Sequence, residues 1–161
     1  MSTQNTETKF EDGNLIVTRI YEAPRELVFE AWIETSKVQQ WWGCGDCEEV
    51  RSEIEPKVGG CYNHHMTLKG GHDVPGFATL TIYEPPEKLA FSSSMPGPEE
   101  LTMTVTVTFT EVDGGTRVQL VHAGIPDIKV EGDMEMREIV RGGWTDAFGK
   151  LGTLLGAPSQ T

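Results

Sequence analysis

At 161 residues the chain has the length of one ordinary domain and enough material for a sizeable core. Twenty-five acidic against thirteen basic residues give a formal charge of −12, which repels phosphate backbones and anionic lipid surfaces and argues against nucleic acid as a partner. Three cysteines are too few for a disulfide framework, no apolar run approaches the roughly 18 residues of a membrane span, and MSTQNTETKFEDG lacks the layout of a secretion signal, so a reduced, cytoplasmic protein without membrane insertion is expected.

Residues 1–12 and 157–161 are polar or small and read as tails around a single domain ordered over about 13–156. The first strand pattern begins near Ile16 and ends at Ala23-Pro24, where proline suits the first turn of a helix because its missing N–H would lack an intrahelical partner. Leu27, Val28, Ala31 and Trp32 then share one face, and Thr35 or Ser36 can cap a second short helix carrying Val38, Trp41 and Trp42.

From Glu48 to His122 the period changes to that of strands, six of them, separated by Pro56 to Gly60, Lys69 to Asp73, Pro85-Pro86, Pro96 to Glu100 and Asp113 to Gly115. In LTMTVTVTF, Leu101, Met103, Val105, Val107 and Phe109 alternate with threonines, so one face is apolar and the other hydroxylated. Val118, Leu120 and His122 share a face of the next strand, as Tyr62, His64, Met66 and Leu68 do earlier. Hairpin-sized turns imply a mainly antiparallel sheet. Asp133 can cap a long final helix whose apolar face runs Met136, Ile139, Val140, Trp144, Ala147, Phe148, Leu151 and Leu155. Gly142, Gly143, Gly149 and Gly152 weaken that helix by about 1 kcal/mol each relative to alanine. Close approach to the sheet or clearance for a ligand would offset the cost.

These elements predict an α+β helix-grip arrangement: a curved antiparallel sheet of about six or seven strands around a long C-terminal helix, with two short helices after the first strand. Arg19, Ala23-Pro24, Val28, Trp32, Trp41-Trp42, Val58-Gly59-Gly60, Gly76, Pro86-Glu87-Lys88-Leu89, Phe91, Thr116, His122 and Gly143-Trp144 carry a family resemblance over residues 15–155. In their order and spacing the chain resembles the bacterial relatives of the activator of the 90-kDa heat-shock chaperone ATPase, within the START-like, polyketide-cyclase-like (SRPBCC) superfamily. The resemblance implies a cavity between sheet and long helix for apolar or aromatic small molecules, or a protein contact of the chaperone-activator kind.

Trp41, Trp42, Tyr62, His64, Phe77, Phe91, Met103, Val105, His122, Trp144 and Phe148 can line such a cavity, with plain core packing as the competing role for each aromatic. His64 and His122 stand out because an inward imidazole needs a hydrogen-bond partner.

Cys44, Cys47, Cys61 and His64 spell a zinc-like C-x2-C-x13-C-x2-H. Strand alternation places Cys61 on the opposite face from His64, and a hairpin at Gly59-Gly60 separates Cys47 from Cys61 by roughly 20 Å, so no metal or other cofactor is expected. CGDC is followed by the extended EEVRSEIE rather than the helix that activates a dithiol. Glu48, Glu49, Glu53 and Glu55 read as a solvated strand face. Three functions follow: a binding module for a small apolar or aromatic molecule, a protein-interaction module that contacts a chaperone, or a cyclase- or hydrolase-like enzyme with His64 or His122 as acid or base.

Overall fold

The computed structural model describes residues 6–43, 47–95, 101–130 and 132–156. Among the described residues eleven strands and three helices follow in the order β1 (Glu7–Glu11), β2 (Asn14–Tyr21), α1 (Arg25–Ile33), α2 (Thr35–Val38), β3 (Cys47–Ile54), β4 (Tyr62–Leu68), β5 (Asp73–Gly76), β6 (Thr79–Glu84), β7 (Lys88–Met95), β8 (Leu101–Val112), β9 (Gly115–Ala123), β10 (Lys129–Val130), β11 (Met134–Glu135) and α3 (Met136–Gly156). The main sheet is antiparallel and runs β1-β2-β9-β8-β7-β6. A second sheet, β3-β4-β5, joins it at the Cys61–Thr79 bridge and through Tyr62 N–H to Ala78 O and Leu80 N–H to Gly60 O. The α+β helix-grip expectation therefore holds, with the curved surface divided between two ladders.

Alternation places the side chains as the threonine-rich strand predicts. Val105, Val107 and Phe109 are buried beside Val118 and Leu120 of β9, and Thr110 on the other face of β8 is exposed. Under this face lie Trp144, Ala147, Phe148 and Leu151 of α3 and Val28, Phe29, Ala31 and Trp32 of α1. Burial on that scale, at roughly 25 cal/mol per Å² of apolar surface, is the main force holding the helices to the sheet. Two hydrogen bonds fix where they sit: Tyr21 Oη donates to Phe148 O at 2.9 Å and Thr116 Oγ1 to Ala23 O at 2.7 Å.

Several local expectations are corrected. Residues 7–11 are not tail: β1 pairs with β2 from Glu7↔Thr18 to Glu11↔Asn14, and its Phe10 ring lies 5.2 Å from the guanidinium carbons of Arg137 and Arg141. Leu27 is exposed and Phe29 takes its place inside, against Tyr83 and Phe109. Pro24 is the N-cap of α1, not its first residue, and Glu34 rather than Thr35 or Ser36 precedes α2. Asp133 lies in the β10–β11 turn, because Met134–Glu135 pair back on Lys129–Val130 and delay α3 to Met136. Residues 157–161 and Pro96 to Glu100 lie outside the described residues.

Gly115 opens β9 where the β8–β9 hairpin passes the β2–α1 corner, and a Cβ there would overlap the Tyr21 carbonyl. That neighbour is backbone and cannot turn aside. Gly115→Ala is expected to destabilise the fold by about 1–3 kcal/mol through overpacking, read as a lower urea midpoint. An unchanged midpoint would mean that the corner is looser than this packing.

Candidate functional site

The interior beneath α3 is filled by rings. Trp32 sits at its centre, 4.5 Å from Trp41, 6.0 Å from Phe109, 6.2 Å from Phe148 and 6.3 Å from Trp144 between centroids. Two polar tips are tied to backbone, Trp41 Nε1 donating to Ala31 O at 2.8 Å and Tyr62 Oη to Trp32 O at 2.7 Å, whereas Trp32 Nε1 is buried with no partner among the described residues. Burial pushes the Tyr62 phenol well above its ordinary pKa, so it remains a donor.

The two inward histidines differ. His122 accepts from Trp144 Nε1 at Nδ1, 2.9 Å away, which puts its proton on Nε2, 3.4 Å from Met103 Sδ. His64 stacks on Trp42 with ring centroids 3.7 Å apart at 17°. Its Nδ1 lies 2.8 Å from Ser52 Oγ, across the β3–β4 ladder where Ser52 pairs with His64, and its Nε2 is buried with no partner among the described residues. Desolvation lowers His64 to about 3 and His122 to about 4, so both are neutral near neutral pH.

Open space begins where the rings end. A cleft of about 240 Å³ is lined by Trp42, Gly43, Met66, Ile139, Val140, Gly143, Trp144 and Ala147, between β4, the segment after α2 and the first half of α3. Gly43 adopts φ +94°, and a Cβ there would press on Met66 Sδ and Cys47 Sγ at 3.0 and 3.1 Å. Gly143 is the opposite case: a Cβ would meet nothing within 4 Å, so its missing side chain is part of the open volume. Close packing accounts only for Gly152, whose Cβ would lie 2.6 Å from Arg19 Nη2. Lys150 Nζ donates to Trp42 O at 3.1 Å and ties the far wall to the helix.

Of the residues expected at the site, Trp42 and Trp144 line the cleft. Trp41, Tyr62, Phe91, Val105 and Phe148 are core, His122 and Met103 lie off this cleft, and His64, stacked behind Trp42, lines a different one on the β3-β4-β5 sheet. Phe77 follows β5 at the sheet margin, is 69% exposed, and lies with Ser52, His64 and Gly76 along a second cleft of about 240 Å³. Met66, Gly43, Gly143 and Ser52 were missed as site residues. Met66 shares the inward face of Tyr62 and His64, which was a usable signal; Ser52 needed the ladder register. For the zinc-like pattern, Cys44 lies outside the described residues, Cys47 pairs with Leu68, and Cys61 Sγ points to Glu53 O at 3.6 Å. Among the described residues no three His, Cys, Asp or Glu side chains converge on a metal position. Glu48, Glu49, Glu53 and Glu55 are exposed.

A family model described as Activator of Hsp90 ATPase homolog 1-like protein matches residues 22–156. The chain belongs to this family. The fold of the family recurs in solved bacterial structures. Protein Ms6760 from Mycobacterium smegmatis is 20% identical with a TM-score of 0.74, covering 93% of this chain and 96% of its own. A protein from Arthrobacter aurescens, solved by NMR, is 19% identical with a TM-score of 0.77, covering 98% and 94%. CalU16 from Micromonospora echinospora is 22% identical with a TM-score of 0.63, covering 97% and 88%. At these identities the likeness speaks for fold. No curated protein matches the chain in sequence. No described helix is long and apolar enough to cross a membrane.

The buried histidines make stability depend on pH. Unfolding returns them to the ordinary value near 6.5, so the unfolded chain binds protons that the folded one refuses. Their stabilisation is complete above about 6.5 and lost as pH falls toward about 4 for His122 and about 3 for His64. Each contributes a slope of up to about 1.4 kcal/mol per pH unit within that window. The urea midpoint should therefore drop between pH 7 and pH 5, and a flat midpoint would show that the imidazoles are solvated. Phe77→Ser, in contrast, is expected to change stability by no more than about 0.5 kcal/mol, as for an exposed position; a larger loss by denaturation would return Phe77 to the core.

Proposed function

We propose that this chain binds a small apolar or aromatic molecule in the cleft between β4, Trp42-Gly43 and the first half of α3. The observation that carries this reading is Gly143. Cβ atoms at Gly142, Gly143 and Gly149 of α3 would alike meet nothing within 4 Å, and of these three Gly143 is the one in the cleft wall, where a ligand against the Trp144 turn would make use of the missing side chain. The lining is two indoles, a thioether and aliphatic groups, the usual surroundings of an apolar ligand. At about 240 Å³ the cleft is smaller than sites for drug-sized molecules, which favours one or two fused rings over a lipid chain.

The enzymatic alternative has less support. Ser52 and His64 form a hydroxyl–imidazole pair, yet burial makes His64 a weak base, no carboxylate among the described residues orients it, and the Ser52 N–H is already bonded to Gln39 Oε1. A protein-interaction role of the kind the family description names, with a chaperone as partner, draws on Phe77 and Val74, exposed near the β5 edge.

Gly143→Leu separates ligand clearance from mere tolerance. The side chain should fill the cleft and reduce naphthalene binding below detection, while improved helix propensity stabilises the protein by about 0.5–1 kcal/mol. Retained affinity in a folded Gly143→Leu protein would place the ligand elsewhere; calorimetric titration with a parallel melting curve reads both quantities.

A further inference from the structure

Two indoles make a corner of the cleft. Trp42 and Trp144 line it with ring planes 80° apart and centroids 5.3 Å apart, nearly square to each other. Each has a support on the sheets. Trp42 lies flat on His64, 3.7 Å between centroids at 17°, and Ser52 Oγ holds the His64 ring at Nδ1. Trp144 donates its Nε1 proton to His122 Nδ1 at 2.9 Å. Both ring nitrogens of His122 are engaged, since Nε2 lies 3.4 Å from Met103 Sδ, and its backbone sits in β9 between Leu15 of β2 and Val105 of β8. The imidazole is therefore locked in place, and burial keeps it neutral near neutral pH with the Nδ1 lone pair that the bond requires. Packing restrains the Trp144 ring less. Trp32 and Phe148 stand 6.3 Å away between centroids, and the cleft that the ring faces is open, with no side chain from Gly143 to fill it. The indole has room to turn on that side, so the bond to His122 sets its angle.

Resting on the cleft reading, we propose that His122 is a positioning residue for the ligand: by holding the Trp144 indole square to Trp42, it makes a corner that selects a flat aromatic ring system over a saturated one of the same carbon skeleton. The selection comes from the charge distribution of aromatic rings, negative on the face and positive at the edge, which favours offset stacking and edge-to-face contact. In a square corner, a flat ligand lying on one indole turns its edge to the other and makes both contacts at once. A saturated ring has no π face, and its hydrogens stand above and below its mean plane. If Trp144 turned, only one of the two contacts would survive. Trp144 also spends its N–H on the sheet, so this wall contributes ring surface rather than a hydrogen-bond donor.

The test compares naphthalene with tetralin, its half-saturated counterpart, by calorimetry on the wild-type chain, on His122→Leu and on His122→Asn. Wild type should bind naphthalene about fivefold more tightly than tetralin, the size of one added aromatic contact. His122→Leu removes the acceptor and should bring the two affinities together. His122→Asn, whose Oδ1 takes the place of Nδ1, should restore the preference and return the Trp144 indole signal of a proton–nitrogen spectrum toward its wild-type position. A preference that survives in folded His122→Leu, or that folded His122→Asn fails to restore, overturns the positioning role. Wild type is decisive even where neither variant folds. Its His122 ring-nitrogen shifts should report the Nε2–H tautomer both free and saturated with naphthalene; a change of tautomer on binding, or equal affinity for the two ligands, overturns the proposal. If neither ligand binds wild type, the cleft reading fails together with the corner, an outcome distinct from binding without a preference for the flat ring.

Discussion

A buried ring with a polar tip is costly without a hydrogen-bond partner, and meeting that demand at all but Trp32 Nε1 and His64 Nε2 among the described interior rings organises this protein. Large aromatic side chains supply the apolar area that holds α1 and α3 against the sheet, but an unmatched indole N–H or phenol in the interior costs about 1–3 kcal/mol. The chain meets the requirement mostly with backbone carbonyls: Trp41 bonds Ala31, Tyr62 bonds Trp32, and Tyr21 bonds Phe148. Each of these bonds crosses between elements, so satisfying a side chain also sets the placement of a helix. Trp144 uses His122 instead, which fixes that imidazole's tautomer and turns a helix-to-sheet contact into one that weakens in acid.

The same requirement separates core from site. Where rings interlock on every side, around Trp32, no room is left for a ligand. Where the ring layer stops, at Trp42 and Trp144, α3 carries Gly143 and the second sheet carries Met66, and the apolar surface faces open volume. The division of the sheet into two ladders contributes to this. β3-β4-β5 meets the main sheet through a single bridge and a few hydrogen bonds, so β4 can stand away from the helix at its Met66 end while Tyr62 stays packed at the other.

Much of this was legible in the amino-acid order. The alternation of Val105, Val107 and Phe109 against threonines predicts both the strand and its buried face, and the proline at Ala23-Pro24 marks the start of α1 to within one residue. The strand at Glu7–Glu11 was hidden because its polar alternation resembles a tail until β2 supplies the pairing edge. Phe77 misled for a related reason: hydrophobicity favours the interior, but a residue just past an edge strand of four residues has no layer above it to enter. The site was only half readable. Periodicity brought Trp42, His64 and Trp144 to one region, whereas the distinction between wall and core depends on which rings are covered on both sides. That is a property of packing in three dimensions, and no spacing along the chain encodes it.

The central claim is that the rings form a closed cluster around Trp32 and leave a receptive edge at Trp42 and Trp144. The four tryptophans of the chain provide four indole N–H signals that report on it separately. In a two-dimensional proton–nitrogen spectrum titrated with naphthalene, Trp42 and Trp144 should move in proportion to occupancy while Trp32 and Trp41 stay in place. Movement of Trp32 or Trp41 equal to that of Trp42 would mean that the cluster opens to the ligand, and the account of a filled core with a cleft at its edge would be wrong.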